Sequence, residues 1–133
     1  MIEKLHYITQ NNPAKSHATL CREACDAGVS FVQLRMKDVT YNLYLEEALE
    51  CRKITLEYGA KLIINDNLSI ALACEADGIH LGQQDLNTKE ARKLVPENFI
   101  IGGTANTLSE IVDHMNNGVE YVGVGPFRLT QTK

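Results

Sequence analysis

Two hydrophobic periods take turns along this chain. Short apolar runs that suit strands occupy residues 5–9, 31–35, 61–65, 78–82, 98–105 and 121–125, and helical stretches lie between them. Ser16 is placed to cap a helix running to Ala27, which Gly28 stops. A longer amphipathic stretch covers residues 44–58 and ends at Gly59. Its Leu45, Leu49 and Leu56 fit a 3.6-residue spacing and predict the buried stripe. Shorter helices are expected over 67–75, 88–95 and 107–117, the last stopped by Gly118. The run KLIIN (61–65) is apolar without alternation, as in a strand covered on both faces.

Strands alternating with helices over short connections predict a parallel α/β architecture in a single domain spanning residues 1–133. Two arrangements satisfy this pattern, an open doubly wound sheet and a (β/α)8 barrel. The placement of polar residues favours the barrel. The second strand runs into QLRMKD, the third ends in Asn65-Asp66, the fourth in GQQD with Asp85, the fifth in GGTANT, and the sixth in GPFRLTQTK. Barrel enzymes build their sites from such a ring of groups at the carboxyl ends of the strands, whereas an open sheet gathers them at one crevice.

Composition narrows the chemistry. The net charge of −4 gives no footprint for nucleic acid, and no basic run is present. No stretch reaches the length of a membrane helix, and MIEKLHYITQ is too charged for a signal peptide. Cys21 and Cys25 stand four apart, but no second pair completes a zinc site. The four cysteines read instead as buried reduced thiols of a cytoplasmic protein.

Asp66 and Asp85 follow successive strands, so they can share a divalent cation, and Mg2+ commonly takes one or two carboxylates with phosphate oxygens. Gln33, Arg35 and Lys37 share one side if the chain stays extended, and Arg35 and Lys37 with Lys133 offer cationic partners for a pyrophosphate. Each residue also has a plainer role. Asp66 beside Asn67 can cap the following helix, Asp85 can be an ordinary loop residue, and His80 can be a hydrogen-bonded core histidine. Gly102-Gly103 can kink a strand or admit a ligand, and Gly125-Pro126 can turn the chain. No nucleophile-base pairing stands out, so the set points to electrostatic stabilisation of phosphate chemistry.

Taken in order, YIT, FVQLRMKD, LIINDN, ADGIHLGQQD, IIGGTANT and YVGVGPFRLTQTK resemble the thiamine phosphate synthase family along the whole chain. The resemblance implies a (β/α)8 barrel that joins a hydroxymethylpyrimidine pyrophosphate to a thiazole phosphate, with Mg2+ as cofactor and pyrophosphate released. It implies that Gln33, Arg35 and Lys37 contact the pyrimidine pyrophosphate and that Asn65 lies beside the pyrimidine. Asp66 and Asp85 would hold the metal, and Thr104 would stand next to the thiazole phosphate, where the family usually has serine. Thr130 and Thr132 match paired threonines, and Lys133 matches the lysine that binds the departing pyrophosphate. Partners would be these small molecules, with a homo-oligomer left open. Asn106 replaces a histidine frequent in the family and in the related thiazole tautomerases. A tautomerase is the second reading, and a non-catalytic phosphate-binding relative the third. At 133 residues about six of the eight strands are accounted for, so a longer protein is expected.

Overall fold

The computed structural model describes residues 2–125. In chain order the elements are β1 (Tyr7–Ile8), α1 (His17–Asp26), β2 (Phe31–Leu34), α2 (Tyr41–Tyr58), β3 (Lys61–Asn65), α3 (Leu68–Ala73), β4 (Gly78–Leu81), α4 (Thr88–Leu94), β5 (Ile100–Ala105), α5 (Leu108–Asn116) and β6 (Tyr121–Val124). The six strands form one sheet in sequence order, and every neighbouring pair is parallel. An open doubly wound sheet would break that order at a switch point.

The sheet curls. Strands β2 and β6 stand four places apart, which in a flat sheet would hold them about 19 Å from each other. Yet the rings of Phe31 on β2 and Tyr121 on β6 meet edge to face at 5.9 Å, and His6, just before β1, stacks on Phe31 at 3.9 Å. The result is a half-barrel with helices outside. Val32, Leu34, Leu62, Ile64, Ile79, Leu81 and Ile101 form one core with helical residues. The pairing register puts Phe31, Gln33, Ile63, Asn65, His80, Gly102, Thr104 and Tyr121 on the opposite, concave face.

Local chemistry sets the helix ends, at Ser16 and Thr107 as the sequence suggests, while α2 starts three residues before the expected Tyr44. Ser16, Thr40, Asn67, Asn87 and Thr107 each accept a bond from a first-turn backbone N–H. Gly59 closes α2 in the left-handed conformation at φ 67°. The buried face of α2 differs from expectation. Leu49 and Leu56 are 44% and 63% exposed and Leu45 is half-buried, while Tyr44, Ala48, Cys51, Ile54 and Thr55 face inward. The stripe is rotated by one residue, because the small side chains Ala48 and Cys51 allow a closer helix approach than leucines would. At the sheet edge, β1 is shorter than expected and Leu5 is exposed. All four cysteines are buried and free. No described helix is long and apolar enough to cross a membrane.

Two similar clamps secure the entry edge of the sheet. Arg52 of α2 meets Asp77 at 2.7 Å, and the same carboxylate oxygen accepts from Leu62 N at 2.8 Å. Arg92 of α4 meets Glu120 at 2.6 Å, and Glu120 accepts from Ile101 N at 2.8 Å. Each carboxylate thus ties the residue before one strand to the start of the preceding strand. Asp77→Ala leaves an N–H and a half-buried guanidinium unpaired. It should cost about 2–3 kcal/mol, and urea unfolding that shows under 0.5 kcal/mol would contradict this.

Candidate functional site

The exit edge of the sheet carries the polar groups. Met36 is buried with the helix-side core, so alternation continues past β2 and leaves Gln33, Arg35 and Lys37 on the other side. Gln33 is buried, Arg35 half-buried and Lys37 exposed. Asn65 Nδ2 donates to Gln33 Oε1 at 2.9 Å across the concave face. That bond leaves the Gln33 amide N–H groups and the Asn65 carbonyl oxygen to serve as an adjacent donor and acceptor.

Two supports beneath these residues were not visible in the sequence. The Tyr44 hydroxyl lies 2.7 Å from the backbone carbonyl oxygen of Asn65 and 3.0 Å from that of Leu34, its one proton shared between adjacent strand ends. Burial holds this phenol protonated by pushing its pKa well up. His17 provides the second support. Asn11 Oδ1 is an acceptor, so His17 Nε2 carries the proton given to it at 3.0 Å. Nδ1 then accepts from the Thr9 hydroxyl at 2.7 Å. Thr9 Oγ1 in turn accepts from Arg35 N at 3.0 Å, which fixes the backbone where Arg35 leaves the strand. Desolvation by burial lowers the His17 pKa, which favours this neutral form. A histidine 18 residues from an arginine gives no pattern to read.

Asp66 is not the helix cap. Asn67 takes that role through Ile70 N, while Asp66 sits in the left-handed region at φ 70°. Asn67 N reaches back to Asn65 O at 2.8 Å, a tight three-residue turn centred on Asp66, and Asp66 N donates to His80 O at 2.8 Å. Positive φ in a non-glycine residue is strained, and such strain tends to sit at functional sites. The turn brings the Asp66 carboxyl to Asp85, whose Oδ2 accepts from Gly82 N at 2.7 Å. Burial, then the hydrogen bond and charge of Asp85, raise the Asp66 pKa, and the charge of Lys37 pulls the other way. Two carboxylates held together against their own repulsion suit a hard divalent cation. Among the described residues no three His, Cys, Asp or Glu side chains converge.

Thr104 and His80 complete the concave face. His80 lies between the Thr104 hydroxyl at Nε2 and the Tyr121 hydroxyl at Nδ1, each 2.9 Å away. Gly102 and Gly103 serve internal packing. A Cβ on Gly102 would fall 2.1 Å from the Tyr121 ring, and one on Gly103 would fall 2.8 Å from His114 Nδ1. Asn106 is exposed. Thr130, Thr132 and Lys133, with Pro126, lie outside the described residues.

Comparison with known proteins gives a consistent picture. The profile of a family described as thiamine monophosphate synthase matches residues 5–133. A thiamine-phosphate synthase of Flavobacterium johnsoniae is 42% identical over 133 residues, which is 100% of this chain and 63% of that protein. One from Clostridioides difficile is 41% identical over 132 residues, covering 98% of this chain and 63% of its own length. Among solved structures, a thiamine phosphate pyrophosphorylase from Pyrococcus furiosus has a TM-score of 0.85 at 30% identity. That match covers 94% of this chain and 61% of the other. The chain therefore spans a little under two thirds of the length of these relatives.

Proposed function

From the premise that the chain belongs to the thiamine monophosphate synthase family, we propose that it couples a hydroxymethylpyrimidine pyrophosphate to a thiazole phosphate and releases pyrophosphate. The observation that carries this reading is the pairing of Asp66 with Asp85 beside Lys37. The pair matches what Mg2+ needs, one or two carboxylates with the remaining positions filled by phosphate oxygens and water. A bound Mg2+ would neutralise charge gathering on the departing pyrophosphate.

The residues of the chain do the rest. Arg35 and Lys37, joined by Lys133, bring positive charge to the leaving group. The free donor of Gln33 beside the free acceptor of Asn65 complements a ring nitrogen next to an exocyclic amine, as an aminopyrimidine presents. Breaking the carbon–oxygen bond leaves a cation that this electron-rich ring delocalises, so no protein nucleophile is required. Thr104, with Thr130 and Thr132, would orient the phosphate-bearing thiazole for attack, a matter of proximity and alignment. The half-barrel would belong to a single (β/α)8-barrel domain. Four buried free cysteines fit a cytoplasmic setting.

The test is pyrophosphate release by the purified protein given both substrates with Mg2+. Release that needs both substrates and stops with chelator is expected. Binding of either substrate without release would overturn the reading, and metal-independent isomerisation of a thiazole phosphate would replace it with tautomerase chemistry.

A further inference from the structure

A buried histidine between two hydroxyls must choose where its proton goes, and here the surroundings make the choice. His80 Nδ1 faces the Tyr121 hydroxyl and Nε2 faces Thr104 Oγ1. Tyr121 is wedged on the concave face against Phe31 and His6, in a slot that exists because Gly102 has no side chain. Its phenol is held protonated by burial. Among the described residues, the Tyr121 hydroxyl has no hydrogen-bond partner other than His80 Nδ1.

The Tyr121 hydroxyl is partly buried, and an O–H with one protein acceptor gives its proton to that acceptor, because the alternative leaves the donor without a protein partner. Nδ1 is therefore the accepting nitrogen, and the ring proton sits on Nε2. Nε2–H then donates to Thr104 Oγ1, filling a lone pair of that oxygen. Thr104 can no longer give its own proton to His80, so that proton points elsewhere. The Thr104 backbone is fixed from behind as well, since its carbonyl accepts from His114 Nε2 at 3.0 Å. Gly123 closes the other side, where an added Cβ would lie 3.5 Å from His80 Cε1.

We propose that His80 is a positioning residue: held as the Nε2–H tautomer by Tyr121, it turns the Thr104 hydroxyl into a hydrogen-bond donor aimed at an anionic oxygen of the phosphate-bearing substrate. The identity of that substrate rests on the proposed function, whereas the tautomer rests on the geometry alone. Serine at position 104 would serve equally, and valine would not.

The experiment reads both parts on the same purified protein. Two-bond proton–nitrogen correlation on ring-labelled histidine reports which His80 nitrogen bears the proton. Nε2–H is expected in the wild type, and Nδ1–H would overturn the inference whatever the activity. His80→Phe keeps a ring in the slot and removes the donor to Thr104 Oγ1, so the Thr104 hydroxyl is no longer held toward the substrate. The KM for the thiazole phosphate should then rise about ten- to a hundredfold, the worth of one hydrogen bond to a charged group. In a Thr104→Val background the same His80→Phe change should have no further effect on KM, and Thr104→Ser should restore the dependence. Equal effects of His80→Phe in both backgrounds would show a merely structural role and sink the inference. An inactive wild type with Nε2–H would remove the proposed function and leave the tautomer assignment standing.

Discussion

Asp85→Asn should lower pyrophosphate release by about 10²–10³, with the fold intact. The asparagine carbonyl oxygen keeps the bond from Gly82 N that shapes the turn after β4, so what is lost is the charge. Asp66→Asn should lower activity as severely and, without metal, should make the protein more stable. Asp66 has its folded-state pKa raised above the ordinary 3.8 by burial and by Asp85. The native state therefore holds the Asp66 proton more tightly than the unfolded chain does. Between the unfolded and native values stability falls as pH rises, and above both the penalty is fully present. Neutral asparagine escapes it, and asparagine also tolerates the left-handed backbone at φ 70°. Melting curves in chelator from pH 4 to 7 should show the wild type losing ground to Asp66→Asn as pH rises. Added Mg2+ should raise the melting temperature of the wild type alone. An Asp66→Asn protein that unfolds, or one that keeps its activity, would contradict this account.

Gly78→Ala should be the most damaging single methyl group in the sheet. A Cβ at this position would lie 2.3 Å from the Ile100 carbonyl oxygen and 2.6 Å from Ile100 Cβ. Gly78 and Ile100 are register partners, and Ile100 N also donates to Asp77 O at 3.0 Å. Neither atom in the way can rotate aside, so β4 and β5 must separate. Overpacking against movable side chains typically costs about 1–3 kcal/mol. Separation of a central ladder should exceed about 3 kcal/mol, a large share of the roughly 5–15 kcal/mol that holds a domain folded. Urea unfolding of Gly78→Ala gives the value directly, and wild-type stability would show that the close approach is not real.

What the sequence disclosed follows from the range of the interactions involved. Helix starts at Ser16 and Thr107 and the stop at Gly59 depend on atoms a few residues away, so they were readable. The meeting of Asp66 and Asp85 was also within reach, because both follow successive parallel strands. The inward face of α2 was not, since choosing Tyr44 and Ala48 over Leu45 and Leu49 depends on how near α1 and the sheet lie. His80 and Tyr121 are 41 residues apart, and their contact needs curvature and a glycine at position 102 together. His80 did prove to be hydrogen-bonded on the inside, as the plainer reading expected, but the Thr104 and Tyr121 hydroxyls against its ring give it a task that reading lacked.

The two arginine clamps bear on how such a sheet could be assembled and inherited. Arg52 and Asp77 are 25 residues apart, Arg92 and Glu120 are 28 apart, and the two spans do not overlap. Each closes one two-strand module, β3 with β4 and β5 with β6, and neither reaches across the boundary between them. Segments 52–77 and 92–120 are therefore like bricks that each bring their own mortar. Recombination within residues 78–91 would sever neither clamp, while a crossover inside either brick would strand an arginine from its carboxylate. Duplication of such a unit together with the strand that follows it would lengthen the wall by two strands at a time, leaving the opposite edge free to acquire new chemistry.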